Sequence, residues 1–316
     1  MPRLLPVRRL LSVRRLLPVR RLLSAAMSTI TLSLAAACSP AVLLGSMQER
    51  ARGGEILDLA YAPGPRHGMD IYLPAPAPSP PPVVVFFYGG GWTGGDRAMY
   101  RFAGRGLAAC GVMTFIPDYA VWPQARFPRF LEDGAQAVAM ARNEARRLGG
   151  DTSRLFLMGH SAGAYIAAML ALDPSWLRRA GVDPRGATAG MIGISGPYDF
   201  LPLDDPVLEA IFDPAGPETQ PITYAANATA PLLLLTGAAD TRVRPANTLR
   251  LAARVRQFGG RAETIVYPGL GHVGAIGALA SPLRSLAPVR TDVCRFMGVP
   301  ERMAARQPSI EWTPAR

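Results

Sequence analysis

Leu155-Phe156-Leu157-Met158-Gly159-His160-Ser161-Ala162-Gly163 is the stretch on which the fold turns. An apolar run enters a Gly-x-Ser-x-Gly turn, and a second apolar run of helical character, Tyr165 to Leu172, leaves it. A buried strand that turns sharply into a helix holds a serine hydroxyl at the tip of the turn, in a strained backbone conformation. Glycine is required on both sides, because a side chain two residues away would collide with the neighbouring strand or helix. Ser161 is therefore the candidate nucleophile. Outside that context, the same five residues would be an ordinary glycine-rich turn.

Upstream, Val83-Val84-Val85-Phe86-Phe87-Tyr88 is an unbroken β-branched and aromatic run, the signature of a strand buried on both faces, and it ends in Gly89-Gly90-Gly91-Trp92. Phe102 to Ala109 predicts a helix, Val112 to Pro117 a strand, Phe130 to Leu148 a long helix, and Arg154 to Met158 the strand before the serine turn. Downstream, Met191 to Ser195 and Pro231 to Thr236 read as buried strands, Ala246 to Phe258 as a helix, Arg261 to Tyr267 as the last strand, and Leu283 to Met297 as a closing helix. Glu55 to Ala62 and Met69 to Leu73 read as a hairpin around Pro63-Gly64-Pro65, and the proline-rich Pro74 to Pro82 as a stiff surface connection. Alternating strands and helices imply a mostly parallel sheet covered on both faces, with ligands gathering at the carboxyl ends of the strands.

A serine hydroxyl needs a base, and the base an orienting acid. The chain has three histidines: His67 in the hairpin turn, His160 inside the serine turn, and His272 in a glycine-rich loop after the last strand. His272 is the candidate base. The acid is expected after a strand between serine and histidine, where Asp240, in Gly237-Ala238-Ala239-Asp240, fits best and Asp199 is the rival. Acyl transfer also needs donors for an oxyanion, and the amides of Gly90, Gly91 and Ala162 are the candidates. Trp92, Trp122 and Tyr198 are candidate walls of a substrate pocket.

The net charge of +11 is concentrated at one end. Residues 1–37 hold seven arginines and no acid, which leaves 27 basic and 23 acidic residues, or +4, over residues 38–316. No basic patch remains to suggest a nucleic-acid partner. Residues 7–24 are three copies of a six-residue Arg-Arg-Leu-Leu unit, followed by an uncharged stretch rich in small and apolar residues that leads to Ala35-Ala36-Ala37-Cys38. That layout matches an export signal and resembles a lipoprotein site at Cys38, so membrane attachment through Cys38 or an uncleaved signal is an open expectation; so is a start at Met27 in the cytoplasm, or a basic arm. The expected organisation is a basic and signal segment over residues 1–44, a catalytic domain over 45–299 with a small cap about 200–230, and a tail over 300–316. Cys110 and Cys294 are expected to be buried thiols, since spacing does not show whether they meet.

Tyr88-Gly89-Gly90-Gly91-Trp92, Asp118-Tyr119 with Phe127-Pro128, Gly159 to Gly163, Asp240-Thr241-Arg242-Val243 and Gly271-His272 together resemble the α/β-hydrolase carboxylesterases, on the hormone-sensitive-lipase-like and feruloyl-esterase-like side. The resemblance runs from about Glu55 to Met297. It implies an α/β-hydrolase fold, with a mostly parallel central sheet, helices on both faces and a small cap insertion. It also implies a Ser161, Asp240 and His272 triad, an oxyanion hole of Gly90, Gly91 and Ala162, and hydrolysis of small-molecule carboxylic esters through an acyl-serine, with no metal or organic cofactor required; the small insertion Phe200 to Ala230 suggests an open pocket for short acyl chains. An amide-cleaving relative, such as a formamidase or peptidase, would keep the same site; a non-catalytic α/β-hydrolase that binds small molecules is the reading from another class.

Overall fold

The structure is a computed structural model that describes residues 56–299. The arginine repeats, the signal-like segment with Cys38, Met27, the expected start of the catalytic domain and the tail over 300–316 lie outside the described residues. Eight strands form one sheet in the order β1 (Ile56–Ala60), β2 (Gly68–Tyr72), β4 (Met113–Pro117), β3 (Pro82–Phe87), β5 (Asp151–His160), β6 (Gly190–Ile194), β7 (Leu232–Gly237) and β8 (Ala262–Tyr267). The β1–β2 hairpin pairs antiparallel and adds antiparallel to β4; every other pairing is parallel. β3 is buried along its whole length, as its unbroken β-branched and aromatic sequence requires of a central strand. Pro82, placed with the connection from sequence, instead opens β3, a position where a missing N–H is tolerated.

The helices follow in chain order. They are α1 (Arg101–Ala109), α2 (Arg129–Arg147), α3 (Ala162–Leu172), α4 (Pro174–Arg179), α5 (Pro206–Ile211), α6 (Ala246–Gln257), α7 (His272–Gly277) and α8 (Val289–Phe296). From β3 the chain steps one way to β4 and then crosses back to β5, β6, β7 and β8. With right-handed crossovers that reversal puts α1 on one face and α2, α3 and α6 on the other. α8 packs beside α1, while α2, α3 and α4 pack together. The reversal also opens a crevice between the carboxyl ends of β3 and β5, where the glycine loop and the serine turn emerge. None of the described helices is long and apolar enough to cross a membrane.

Three sequence expectations are corrected. Cys110 and Cys294 are buried, but they form a disulfide, with Cα atoms 6.4 Å apart across a separation of 184 residues. The packing of α8 on α1 brings them together, and linear spacing holds no trace of that contact. The expected helix over 283–297 begins only at Val289, after a 3₁₀ turn at Ser281–Leu283. Pro288 precedes it, and proline disfavours helical backbone in the residue before itself. His272, read as a loop residue, is the first residue of α7.

Candidate active site

The serine turn is built by contact with both neighbouring strands. Ser161 sits at φ 54° and ψ −124°, and its N–H donates to the Ile194 carbonyl at 2.9 Å, so the turn extends the β5–β6 pairing by one residue. A Cβ on Gly159 would strike the Gly163 carbonyl, and one on Gly163 would strike the carbonyls of Phe87 and Tyr88. Both glycines are therefore required by close backbone approach as well as by the turn. Ser161 is 8% exposed.

The parallel register pairs Phe87 of β3 with Gly159 of β5, which sets Gly89 level with Ser161 two residues on. The glycine loop closes on itself through Thr93 N–H and Gly94 N–H to the Gly90 carbonyl, at 3.1 and 3.2 Å, without using the N–H of Gly90 or Gly91. A Cβ on Gly90 would collide with the Gly94 carbonyl, so the loop can close this tightly only with glycine there. Ala162, the first residue of α3, has an N–H that no intrahelical carbonyl can reach. The loop rests on a polar network: Tyr119 Oη donates to the Tyr88 carbonyl at 2.7 Å, Tyr88 Oη donates to Asp118 Oδ1 at 3.0 Å, and the Arg66 guanidinium donates to Tyr88 Oη and the Gly95 carbonyl.

On the far side of the crevice, the loops after β7 and β8 are joined backbone to backbone. Ala238 N–H donates to the Tyr267 carbonyl at 2.8 Å and Ala239 N–H to the Leu270 carbonyl at 2.9 Å. This brings Asp240 to His272, with Nδ1 2.8 Å from Asp240 Oδ2. The other carboxylate oxygen accepts the N–H groups of Arg242 and Val243, at 3.0 and 2.9 Å. Burial works against the Asp240 charge, but the hydrogen bonds from His272 and Val243 outweigh it and hold the carboxyl below its ordinary value. Ser195 also favours that charge, although its buried hydroxyl completes no hydrogen bond of good geometry. Since Nδ1–H is directed to the carboxylate, the neutral ring presents Nε2 as its free base.

Asp199, the rival acid, faces elsewhere. It pairs with Arg250 Nε at 2.6 Å, and its N–H donates to Asn247 Oδ1. His67 is spent between the Pro63 carbonyl and Asp133, at 2.7 and 3.3 Å. Among the described residues the Ser161 hydroxyl has no hydrogen-bond partner. The protein chain connects serine and base through His160 instead, whose ring centroid lies 4.7 Å from that of His272. Such bonds are commonly long before substrate arrives.

Two of the three expected pocket walls are core residues. Tyr198 is fully buried, and Trp92 is 4% exposed within an aromatic cluster of Tyr165, Phe200, Phe212 and Phe130. Trp122 is half-buried. Tyr198 is carried inward because its N–H is held by Asn247 and its ring closes over Gly193 and Gly196. The segment over 200–230 is tied to the body and within itself: Tyr165 Oη donates to the Thr219 carbonyl at 2.7 Å, and Phe200 N–H donates to Gln220 Oε1 at 2.9 Å. Sequence reasoning missed Asn247, Gln220, Arg66 and Tyr100, because each acts on a segment 20 to 60 residues away. No local pattern marks them.

A crevice at the strand-order reversal, a strained serine between β5 and α3, and the paired Asp240 and His272 after β7 and β8 define an α/β-hydrolase fold. Comparison with known proteins agrees. A family model described as BD-FAE matches residues 69–207. The isoprenylcysteine alpha-carbonyl methylesterase of Arabidopsis thaliana is 28% identical over 248 residues, 72% of this chain and 58% of that one. The kynurenine formamidase of Salmo salar is 29% identical over 157 residues, 49% of this chain and 51% of that one. The chain thus spans little more than half the length of these curated relatives. A truncated carbohydrate esterase from gut microbiota shares the fold, with a TM-score of 0.67 at 18% identity over 79% of this chain and 97% of that one. Over these residues the chain is similar to esterases of the α/β-hydrolase fold.

Proposed function

We propose that this protein is a serine hydrolase that cleaves short-chain carboxylic esters through an acyl-serine intermediate. The observation that carries the reading is the 2.8 Å Asp240–His272 bond, which leaves Nε2 as the free base on the crevice side of a strained serine. His272 Nε2 takes the Ser161 proton as Oγ bonds to the ester carbonyl carbon, and the charge that forms on the carbonyl oxygen is met by the N–H groups of Ala162, Gly90 and Gly91. The imidazolium returns its proton to the departing alkoxide, which leaves as the alcohol. Water then repeats the sequence against the acyl-serine and releases the carboxylate.

The short-chain preference is supported by Trp92 and the aromatic rings around it, which fill the space between the glycine loop and the cap. The same machinery would cleave an activated amide, a reading supported by the likeness to a kynurenine formamidase. Export is part of the proposal: a buried disulfide suits an oxidising compartment, and attachment by Cys38 or a retained signal would keep the protein at a membrane surface. The test is hydrolysis of nitrophenyl acetate, butyrate, octanoate and palmitate, and of N-formylkynurenine, by the full chain and by Ser161→Ala. The expected result is a rate that favours acetate and butyrate and vanishes in the variant. Equal activity of the two proteins would overturn the reading.

A further inference from the structure

Of the two histidines that the reaction above does not use, His160 is the one that lies against the base. Its ring stacks obliquely on that of His272, and Nε2 is 3.3 Å from the His272 carbonyl oxygen. On its other side, Nδ1 is 3.0 Å from Tyr100 Oη. A carbonyl oxygen only accepts, so Nε2 must carry the ring proton, and Nδ1 is then the acceptor of the phenol hydrogen. The assignment is forced by chemistry because burial, and next the adjacent His272, push the His160 pKa down to about 3 and leave one ring proton at neutral pH. Tyr100 in turn touches the glycine loop. The Gly89 amide approaches the phenol oxygen, and a Cβ added to Gly89 would sit 3.0 Å from Tyr100 Oη, 2.9 Å from His160 Nδ1 and 3.0 Å from Ser161 Cβ.

The three parts of the site come from separate strands. The glycine loop leaves β3, the serine turn leaves β5, and His272 follows β8, three places beyond β5 in the sheet. Asp240 orients the His272 ring, but the Asp240 contact is to Nδ1 and says nothing of how far the residue stands from Ser161. Among the described residues it is His160, part of the serine turn itself, whose side chain is hydrogen-bonded to the His272 backbone.

We propose that Tyr100 and His160 are positioning residues, a hydrogen-bonded relay that ties the glycine loop and the nucleophile turn to the backbone of the base and so sets the reach of His272 Nε2 to Ser161. The relay rests on the serine-hydrolase reading of the same site. It acts on the reacting geometry rather than on substrate contact, so its loss lowers kcat with little change in KM. The two nitrogens of His160 can be replaced one at a time: glutamine places an amide donor near the Nε2 position, and asparagine an acceptor near Nδ1.

The test measures kcat and KM on nitrophenyl butyrate for the full chain and for Tyr100→Phe, His160→Asn, His160→Gln and Ser161→Ala, with thermal unfolding of each. Tyr100→Phe and His160→Asn are expected to lose about tenfold or more in kcat while KM stays within about twofold. His160→Gln, which keeps the donor to the His272 carbonyl, should lose clearly less than His160→Asn. The relay is overturned if Tyr100→Phe and His160→Asn turn over like the parent while Ser161→Ala is inactive. It is equally overturned if all three relay variants lose the same activity in proportion to lost stability, since glutamine would then rescue nothing. Activity retained by Ser161→Ala would instead remove the serine-hydrolase reading beneath it.

Discussion

Acidification should weaken the fold through His160 by an amount that can be worked out. The ring is 4% exposed, and its pKa falls from the ordinary 6.5 to about 3, first because burial disfavours the charged ring and then because His272 repels it. The His272 carbonyl and Asp240 pull the other way, and Arg242 adds to the repulsion. A folded value below the unfolded one means that the unfolded chain binds more protons between the two. Stability from this group is therefore complete above about pH 6.5 and is lost as pH falls toward about 3. At about pH 5 the loss is RT ln(1 + 10^1.5), or about 2 kcal/mol, whereas at about pH 7.5 it is below about 0.1 kcal/mol. Other groups titrate over the same range, so the quantity to read is a difference between proteins. Urea unfolding at both pH values should show the parent losing about 2 kcal/mol more than His160→Gln, which removes the titrating ring and keeps a donor to the His272 carbonyl. Equal losses would refute the reasoning, because His160 would then protonate as readily in the fold as in the unfolded chain.

Other consequences can be measured independently. Asp240→Asn should cut kcat by roughly three to four orders of magnitude, because an amide holds His272 in the wrong tautomer, whereas Asp199→Asn, which loses only a pair with exposed Arg250, should stay within about threefold; steady-state kinetics on nitrophenyl butyrate separates the two. Gly163→Ala puts a methyl group into the Phe87 and Tyr88 carbonyls, so the melting temperature should fall by more than about 5 °C or the protein should fail to accumulate in soluble form. Reduction of Cys110–Cys294, or the double change to alanine, should remove about 2 to 5 kcal/mol by freeing a 184-residue loop, read by denaturant unfolding; alkylation of the unreduced protein under denaturing conditions should label neither cysteine.

The sequence by itself determined the elements and the order of the site. Unbroken apolar runs such as Val83 to Phe87 can only be central strands, and a serine flanked by glycines at a strand-to-helix junction can only be a strained turn, because both are consequences of neighbouring residues along the chain. The small helix α4 is equally legible in the sequence, with Asp173 capping it and Pro174 in its first turn. Tertiary structure alone decided what meets across the sheet. Asp240 rather than Asp199 reaches His272 because the loops after β7 and β8 share backbone hydrogen bonds, while Asn247 and Arg250 turn Asp199 away. Cys110 finds Cys294 because right-handed crossovers leave α1 and α8 on the same face. Trp92 and Tyr198 are core rather than pocket for the same kind of reason: burial depends on which surfaces close over a ring, and those surfaces are carried by residues far away in the chain. The tie from Tyr100 through His160 to His272 joins positions 60 and 112 residues apart, and only folding brings them within hydrogen-bond reach.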